Sequence, residues 1–238
     1  MKRIAIFIIA FVFIWPATSN VNGMDAAEYF NLGLKSTMTR TKIEYFTRAL
    51  ELNPTFTDAY EKRGMLYFFQ KKYDQMIRDF QNFIDLAPGQ AKAFLMLGVG
   101  YLKTGNCPAA IYNLTRALEL EPGLAGAYSN RAEAYFLSGR YEQAIEDATS
   151  AIRIGGDAII LTEAYRIRYK TYWKLGNENE AYRNLGNAWR SDPRVWNVWK
   201  TKNGGLHYLE YSRKMGLMLL IAVAAALIFG AKLKPPEK

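Results

Sequence analysis

Apolar and polar residues alternate at helical spacing through the middle of the chain. Tyr60 and Tyr67 are seven residues apart, which places both on one face of a helix, and Gly64 lies between them on that face. The polar run Gln70-Lys71-Lys72 marks a turn. A second set of apolar residues follows at spacings of three and four, so this stretch predicts two antiparallel helices. The second set is Ile77, Phe80, Phe83 and Ile84.

The same pattern returns every 34 residues. Pro54, Pro88 and Pro122 keep this step and stop one helix before the next begins. Gly105 and Gly139 lie at the turns of later units, where glycine tolerates a left-handed backbone. A fixed period of this size predicts stacked two-helix units and an all-α solenoid. Other residues that keep the step are Tyr60, Phe94 and Tyr128, then Tyr67, Tyr101 and Tyr135, then Gly64, Gly98 and Ala132.

Three consecutive units resemble the tetratricopeptide repeat (TPR) family through the segments GMLY…KKYDQMI, GVGY…GNCPAAI and AEAY…GRYEQAI. The resemblance implies a right-handed superhelix of about five helix-turn-helix repeats over residues 24–193, at about 26–56, 57–90, 91–124, 125–158 and 162–193. The first repeat has a turn shortened by three residues, and the fifth carries Tyr169 where a small residue is expected. Gly155-Gly156 replaces the usual proline before the fifth repeat, which predicts a looser joint there.

The resemblance also implies that the first helices of the repeats line a concave groove, and such grooves usually serve as binding surfaces. We predict that a peptide or helix of a protein partner binds there through aromatic and aliphatic anchors. The alternative is that these side chains pack against neighbouring helices. The candidate groove residues are Glu61, Met65, Phe68, Phe69, Leu95, Val99, Leu102, Lys103, Ser129, Glu133, Phe136, Arg166, Lys170 and Trp173.

Some members of the family hold the C-terminal carboxylate of a chaperone partner with a clamp of Lys, Asn and Arg side chains. Asn130 matches the middle Asn of that clamp. Leu95 and Val99 stand where the preceding Lys and Asn would be, and Glu163 and Ile167 occupy the following positions. This clamp is therefore not predicted.

The first 23 residues read as a secretory signal peptide. Lys2 and Arg3 precede an apolar run from Ile4 to Trp15, and small residues follow at Ala17-Thr18-Ser19. The run is shorter than the about 20 residues that a spanning helix needs. The alternatives are an uncleaved anchor and a buried core helix.

Residues 215–231 form a second uncharged run, which predicts a transmembrane helix followed by a basic tail over 232–238. The alternative is a buried core helix, but the run is apolar on every side with no polar stripe, and no partner domain remains in the sequence to bury it. Ala222 and Ala226 offer a small-residue face for helix pairing, and thus for a homo-oligomer. Residues 194–214, with Trp196 and Trp199, are predicted to cap the last repeat or to lie at the membrane surface.

Charge and composition narrow the function classes. The net charge is +9, but residues 24–189 contribute only +1 of it, and the excess lies beside the two apolar runs. This distribution favours a membrane over a nucleic-acid groove. One cysteine (Cys107) and one histidine (His207) leave no metal cluster, and no phosphate loop or nucleophile motif is present. We expect no enzyme activity, no cofactor and no metal.

The sequence thus predicts an exported, single-pass membrane protein whose repeats form a protein-binding scaffold, with a role in assembling an envelope complex. In a bacterium the repeats would lie on the periplasmic side, because the lysines after residue 231 favour the inside. The main alternative is a cytosol-facing, tail-anchored adaptor. An unrecognised hydrolase site and a C-terminal sorting signal that is cut off are further alternatives.

Overall fold

The computed structural model describes residues 23–191 of the 238-residue chain, apart from the side chain of Trp189. Within this range the chain forms ten helices and no strand. Consecutive helices pair into five two-helix repeats. The helices are α1 (Ala26–Lys35), α2 (Thr39–Leu52), α3 (Thr57–Phe69), α4 (Tyr73–Leu86), α5 (Ala91–Lys103), α6 (Cys107–Leu120), α7 (Ala125–Leu137), α8 (Tyr141–Ile154), α9 (Ala158–Lys174) and α10 (Glu178–Ser191).

Left-handed residues close the turn inside four of the repeats. Gly105, Gly139 and Gly176 have φ of 82°, 73° and 74°, as expected for residues that end a helix. Lys71 takes the equivalent position in the second repeat with φ of 59°, which is unusual for a side chain with a Cβ. The first helix, α1, begins at a capping box in which Asp25 and Glu28 each bond the other's backbone N–H.

Small residues on the first helix let the second helix pack closely against it. A Cβ added at Gly64 would lie 2.9 Å from Phe80 Cε2, and one at Gly98 would lie 2.6 Å from Leu114 Cγ. Gly33 has the same relation to Phe46 in the first repeat. Each glycine therefore accommodates a large side chain of the following helix, and these side chains are buried with at most 2% exposure.

The fifth repeat begins with a longer first helix than the others. The extra residues after Gly155-Gly156 form the first turn of α9, which has 17 residues against 13 in α3, α5 and α7. The predicted loose joint is wrong, because Ala164 and Ile167 of α9 lie in one buried cluster with Ala148 and Ala151 of α8. Tyr169, the large residue at the small-residue position, is itself buried beside Leu185.

None of the helices within residues 23–191 is both long and apolar enough to cross a membrane. The predicted transmembrane run 215–231, the segment 194–214 and the tail 232–238 lie outside the described residues, as does the predicted signal peptide except for Gly23.

Candidate protein-binding surface

A pocket of about 300 Å³ opens between the second and third repeats. Its walls come from three helices, so it exists only because α5 stacks on the α3–α4 pair. Two of the predicted groove residues, Glu61 and Met65, line it. The other lining residues are Thr57, Asp58, Phe80, Phe83, Ala87, Gln90, Lys92, Ala93 and Met96.

The pocket combines an apolar floor with charged walls. Phe80 is buried at 2% exposure, whereas Phe83, Met65 and Met96 are half-buried and add apolar surface. Asp58 and Glu61 supply negative charge on the α3 side, and Lys92 supplies positive charge on the α5 side. Lys62 Nζ lies 3.3 Å from Glu61 Oε2, a surface ion pair that a ligand could replace at small cost.

The middle of the predicted groove is mostly closed by the protein's own packing. Val99, Leu102 and Ser129 are buried at 8%, 6% and 5% exposure. Leu95 is half-buried against the hydrophobic cluster that contains Phe94 and Leu97, whereas Lys103 is exposed. The sequence predicts that these positions of the third and fourth repeats are free to contact a partner, but in the structure they are used for packing. The surface left to a partner is therefore smaller than predicted.

Four predicted or neighbouring groove residues meet in a charge cluster between the fourth and fifth repeats. Arg166 donates from Nε to Glu163 at 2.6 Å and from Nη2 to Glu133 at 3.3 Å, which joins α9 to α7. Burial tends to lower the pKa of Arg166, but the carboxylates of Glu163 and Glu133 outweigh burial, and the pKa is raised. The pKa of Lys170 is lowered, first by burial and then by Arg166, with Glu133 and Glu163 opposing the shift.

The remaining predicted groove residues are aromatic and lie near the turns inside the repeats. Phe68 contacts Phe69 edge-on at a ring distance of 5.6 Å, and Phe69 is 70% exposed. Phe136 and Trp173 take the position of Phe68 in later repeats. The ring centre of Phe136 lies 6.0 Å from that of Tyr141, and the ring centre of Trp173 lies 5.9 Å from that of Tyr182. Phe68, Phe136 and Trp173 are half-buried, whereas Phe69 presents most of its surface to solvent.

Sequence reasoning missed a buried arginine bridge that occurs in the second and fourth repeats. Arg63 on α3 donates to both carboxylate oxygens of Asp79 on α4, at 3.0 and 2.7 Å, and to Thr47 Oγ1 of the preceding repeat at 3.0 Å. Arg131 makes the same three bonds to Asp147 and Thr115. Each bridge thus ties one repeat together and connects it to the repeat before.

The environment of these arginines is polar on one side and aromatic on the other. The Arg63 guanidinium lies 5.9 Å from the ring centre of Tyr60 and 6.0 Å from that of Tyr67, within cation–π range. Burial tends to lower the pKa of Arg63, but its bonds to Asp79 outweigh burial and the pKa is raised. Burial raises the pKa of Asp79, although Arg63 opposes this shift. The signal was present in the sequence, since both members of each pair recur at a spacing of 68 residues, twice the repeat.

The fifth repeat contains the same arginine without its acidic partner. Arg168 lies where Arg63 and Arg131 lie, but Asn184 replaces the aspartate. Arg168 Nε and Asn184 Oδ1 are both buried and have no hydrogen-bond partner among residues 23–191, whereas Asn184 Nδ2 donates to the Glu180 carbonyl at 2.7 Å. Buried polar atoms that lack a hydrogen-bond partner cost stability.

Other chemistry is sparse in the part of the chain that the structure describes. Within residues 23–191, no group of three or more metal-binding side chains comes together. Cys107 is a free thiol at the start of α6 and is partly buried. Asn130, the residue that matched the carboxylate clamp, donates its side-chain amide to the Gly126 carbonyl at 2.7 Å. His207 lies outside the described residues.

Comparisons with known proteins agree with this architecture. Sequence models described as tetratricopeptide repeat match residues 58–89 and 95–159. The fold is similar to the crystal structure of MamA protein, with a TM-score of 0.63 and 23% identity over 75% of this chain and 94% of that one. It is also similar to YrrB, described as a TPR protein with an unusual peptide-binding site, with a TM-score of 0.61 and 20% identity over 75% of this chain and 92% of that one.

A curated relative matches over a shorter stretch. The UDP-N-acetylglucosamine--peptide N-acetylglucosaminyltransferase of Giardia intestinalis is 39% identical over 69 residues, which is 28% of this chain and 5% of that protein. The chain spans a small fraction of this relative, and the match falls within the repeats. The chain therefore contains tetratricopeptide repeats within residues 58–89 and 95–159, and its described part is an all-helical solenoid with the fold of TPR proteins.

Proposed function

We propose that this protein is a membrane-tethered scaffold whose repeats bind a segment of a partner protein. The observation that carries the proposal is the pocket between the second and third repeats, which joins an apolar floor to charged walls. Pockets of this size, with a few polar groups around apolar surface, are the common form of a specific binding site. The peptide-binding site named for YrrB, whose fold is similar, supports the same class of ligand.

The chemistry of the pocket defines the segment that would fit. Met65, Met96 and Phe83 accept a flexible apolar side chain, because methionine surfaces adapt to different shapes. Asp58 and Glu61 favour a lysine or arginine beside it, and Lys92 favours an acidic or C-terminal group on the α5 side. The partner segment is therefore amphipathic, with an apolar anchor next to a cation.

The binding experiment places a photo-crosslinking amino acid at Met96 in the full chain and identifies the crosslinked partner by mass spectrometry. A peptide of the crosslinked segment is then titrated against the unmodified chain and against Glu61→Lys. We expect about a tenfold loss of affinity for Glu61→Lys, since reversing one charge beside a cation costs of the order of 1 kcal/mol or more.

Gln81→Lys is the matched control, because Gln81 is exposed on α4 and does not line the pocket. This variant should bind the peptide like the unmodified chain. Equal affinity for Glu61→Lys and the unmodified chain, or crosslinks that are as strong from position 81 as from position 96, would contradict the proposed pocket.

The tether rests on the sequence pattern. The uncharged run 215–231, flanked by cations, supports a membrane helix, and the cationic and apolar first residues support export. A tethered array meets other membrane proteins at a raised effective concentration, which suits a role in assembling an envelope complex. We further propose that the repeats lie on the extracytoplasmic side and that the tail stays inside.

Topology is tested with a single exposed thiol. Cys107→Ser removes the native cysteine, and Lys72→Cys places a thiol at an exposed turn position. Spheroplasts of a bacterial host are treated with a maleimide that does not cross membranes. Labelling before lysis supports the exported arrangement, whereas labelling only after lysis contradicts it and favours the cytosol-facing adaptor.

A further inference from the structure

The two edges of the solenoid differ in charge. Because consecutive helices are antiparallel and the turns are short, all turns inside the repeats lie on one edge, and all turns between repeats lie on the other. We define the inner-turn edge as the last residue of each first helix and the turn that follows. It comprises residues 35–38, 69–72, 103–106, 137–140 and 174–177.

The inner-turn edge is cationic along its whole length. It carries six cations and no acidic residue, and all six cations are exposed. Five of them are lysines that form no salt bridge with another residue of the described range; the sixth, Arg140, donates to Gln143 and stacks on Tyr135. When the first two residues of the second helix of each repeat are added to this edge, its net charge is still +4. The six are Lys35, Lys71, Lys72, Lys103, Arg140 and Lys174.

Large apolar side chains alternate with these cations. Phe69 and Met38 are 70% and 67% exposed, and Leu137 and Leu175 are 57% and 46% exposed. They are distributed over four of the five repeats, so they form a row instead of a single patch. Burying these side chains would release free energy, and nothing within the described repeats covers them.

The opposite edge lacks this combination. The corresponding residues 52–56, 86–90, 120–124 and 154–157 contain no cation and two acidic residues, Glu121 and Asp157. Their exposed apolar residues, such as Leu86 and Leu120 at 41%, are less exposed than Phe69 or Met38. The cationic character therefore belongs to one edge and is not a general property of the surface, since residues 24–189 have a net charge of only +1.

We propose that the inner-turn edge docks on the surface of an anionic lipid bilayer. Lysines interspersed with Phe, Leu and Met are the combination that binds such a surface, because the cations are attracted to anionic headgroups and the apolar side chains enter the interface. Each Lys or Arg near an anionic surface adds about 1 kcal/mol, so several act together. The inner-turn edge extends over five repeats and so fits an extended surface better than a single protein side chain or peptide. Docking would hold the solenoid with its repeats upright on the membrane.

The docking does not depend on the proposed tether, and the experiment separates the two. Full chain with Cys107→Ser receives a single fluorophore at Ser138→Cys on the inner-turn edge. A second protein carries it at Gln90→Cys on the opposite edge, where the residue is exposed and caps nothing with its side chain. Both are mixed with vesicles of equal parts phosphatidylcholine and phosphatidylglycerol that contain a headgroup-labelled quenching lipid.

We expect quenching at position 138 and little at position 90, with the signal at 138 lost at high salt or in vesicles of phosphatidylcholine alone. Lys71→Glu/Lys72→Glu should lower the docked-to-free ratio about tenfold or more. Phe69→Ser/Leu137→Ser should lower it as well. Arg78→Glu/Arg153→Glu makes the same change of net charge at exposed positions away from this edge, and it should leave the quenching unchanged.

The lipid proposal fails if position 138 is not quenched in the anionic vesicles, if position 90 is quenched equally, or if the edge variants have no effect. It also fails if position 138 is shielded only when membrane proteins are added, which would assign the edge to an acidic protein. A tethered chain whose edge does not dock would pellet with the vesicles, but its fluorophore at position 138 would not be quenched. An untethered chain whose edge docks would pellet with anionic vesicles only, and the edge variants would stay in solution.

Discussion

At the scale of single residues, the arginine bridges place paired charges in the interior of the second and fourth repeats. Arg63 and Arg131 are 16% exposed, and their partners Asp79 and Asp147 are 4% and 7% exposed. Removing one partner from such a pair leaves a charge in a place with little water, which costs more than the pair itself contributes.

Asp147→Ala should therefore destabilise the array by about 3 kcal/mol, because Arg131 would lose both carboxylate bonds while remaining buried. Urea unfolding followed by circular dichroism measures the change. Glu146→Ala is the matched control, since Glu146 is the exposed neighbour of Asp147, and its effect should stay within about 0.5 kcal/mol. Equal stability of the two variants would show that the bridge is not important for folding.

Asn184→Asp should stabilise the fifth repeat by about 1 kcal/mol, because the new carboxylate can accept from Arg168 as Asp79 accepts from Arg63. A higher urea midpoint for this variant is the expected result. Asn179→Asp adds the same charge at an exposed position of the same helix and should have a smaller effect. If Asn184→Asp lowers the midpoint, a third bridge cannot form with the present backbone.

At the scale of elements, the distance between the two helices of a repeat is set by the pairing of a small residue with a large one. Gly98 faces Leu114, and the same positions hold Gly64 and Phe80 in the second repeat. In the fourth repeat, Ala132 lies in one buried cluster with Ala148, so a slightly larger residue is matched with a smaller one. The pair must be chosen jointly, because interiors are close-packed.

Gly98→Ala should destabilise the array by about 2 kcal/mol, since the added Cβ would lie 2.6 Å from Leu114 Cγ and 3.3 Å from the Ala110 carbonyl oxygen. Thermal unfolding gives the difference, and Gly98→Ala/Leu114→Ala should show whether removing the large partner relieves the clash. Gly123→Ala lies at an open turn, where an added Cβ meets no atom of residues 23–191 within 4 Å, and it should be neutral or slightly stabilising. Similar losses for Gly98→Ala and Gly123→Ala would argue against a steric cause.

At the scale of the whole molecule, the helices contact mainly their neighbours along the chain, as in other solenoids. Stability is then the sum of repeat and interface terms, and a local change should spread only to adjacent repeats. The inner-turn edge and the pocket are local in the same sense, because each is assembled from residues of successive repeats.

Hydrogen exchange tests this locality. Gly33→Ala introduces a clash with Phe46 in the first repeat and should speed exchange there, while α5 to α8 remain as protected as in the unmodified chain. Gly98→Ala, in the central repeat, should speed exchange from α3 to α8 on both sides. A uniform rise along all helices for either variant would mean that the array unfolds as one unit.

The sequence by itself determined the helical class, the repeat length and the places where helices end. These features depend on local spacing, as in Tyr60 and Tyr67, and on turn residues such as Gly105 and Gly139, so the pattern is enough to predict them. It also determined which helix face carries the pocket, through Glu61 and Met65.

Only the tertiary structure decided which groove positions remain free. Val99, Leu102 and Ser129 have the spacing of groove residues, yet they are buried in the folded array, and the pattern of a single repeat does not contain that information. The arginine bridges and the charged edge likewise depend on tertiary packing, since they join residues 16 apart on different helices or turns from five different repeats. Local periodicity specifies elements, whereas burial and charge clustering depend on how those elements meet.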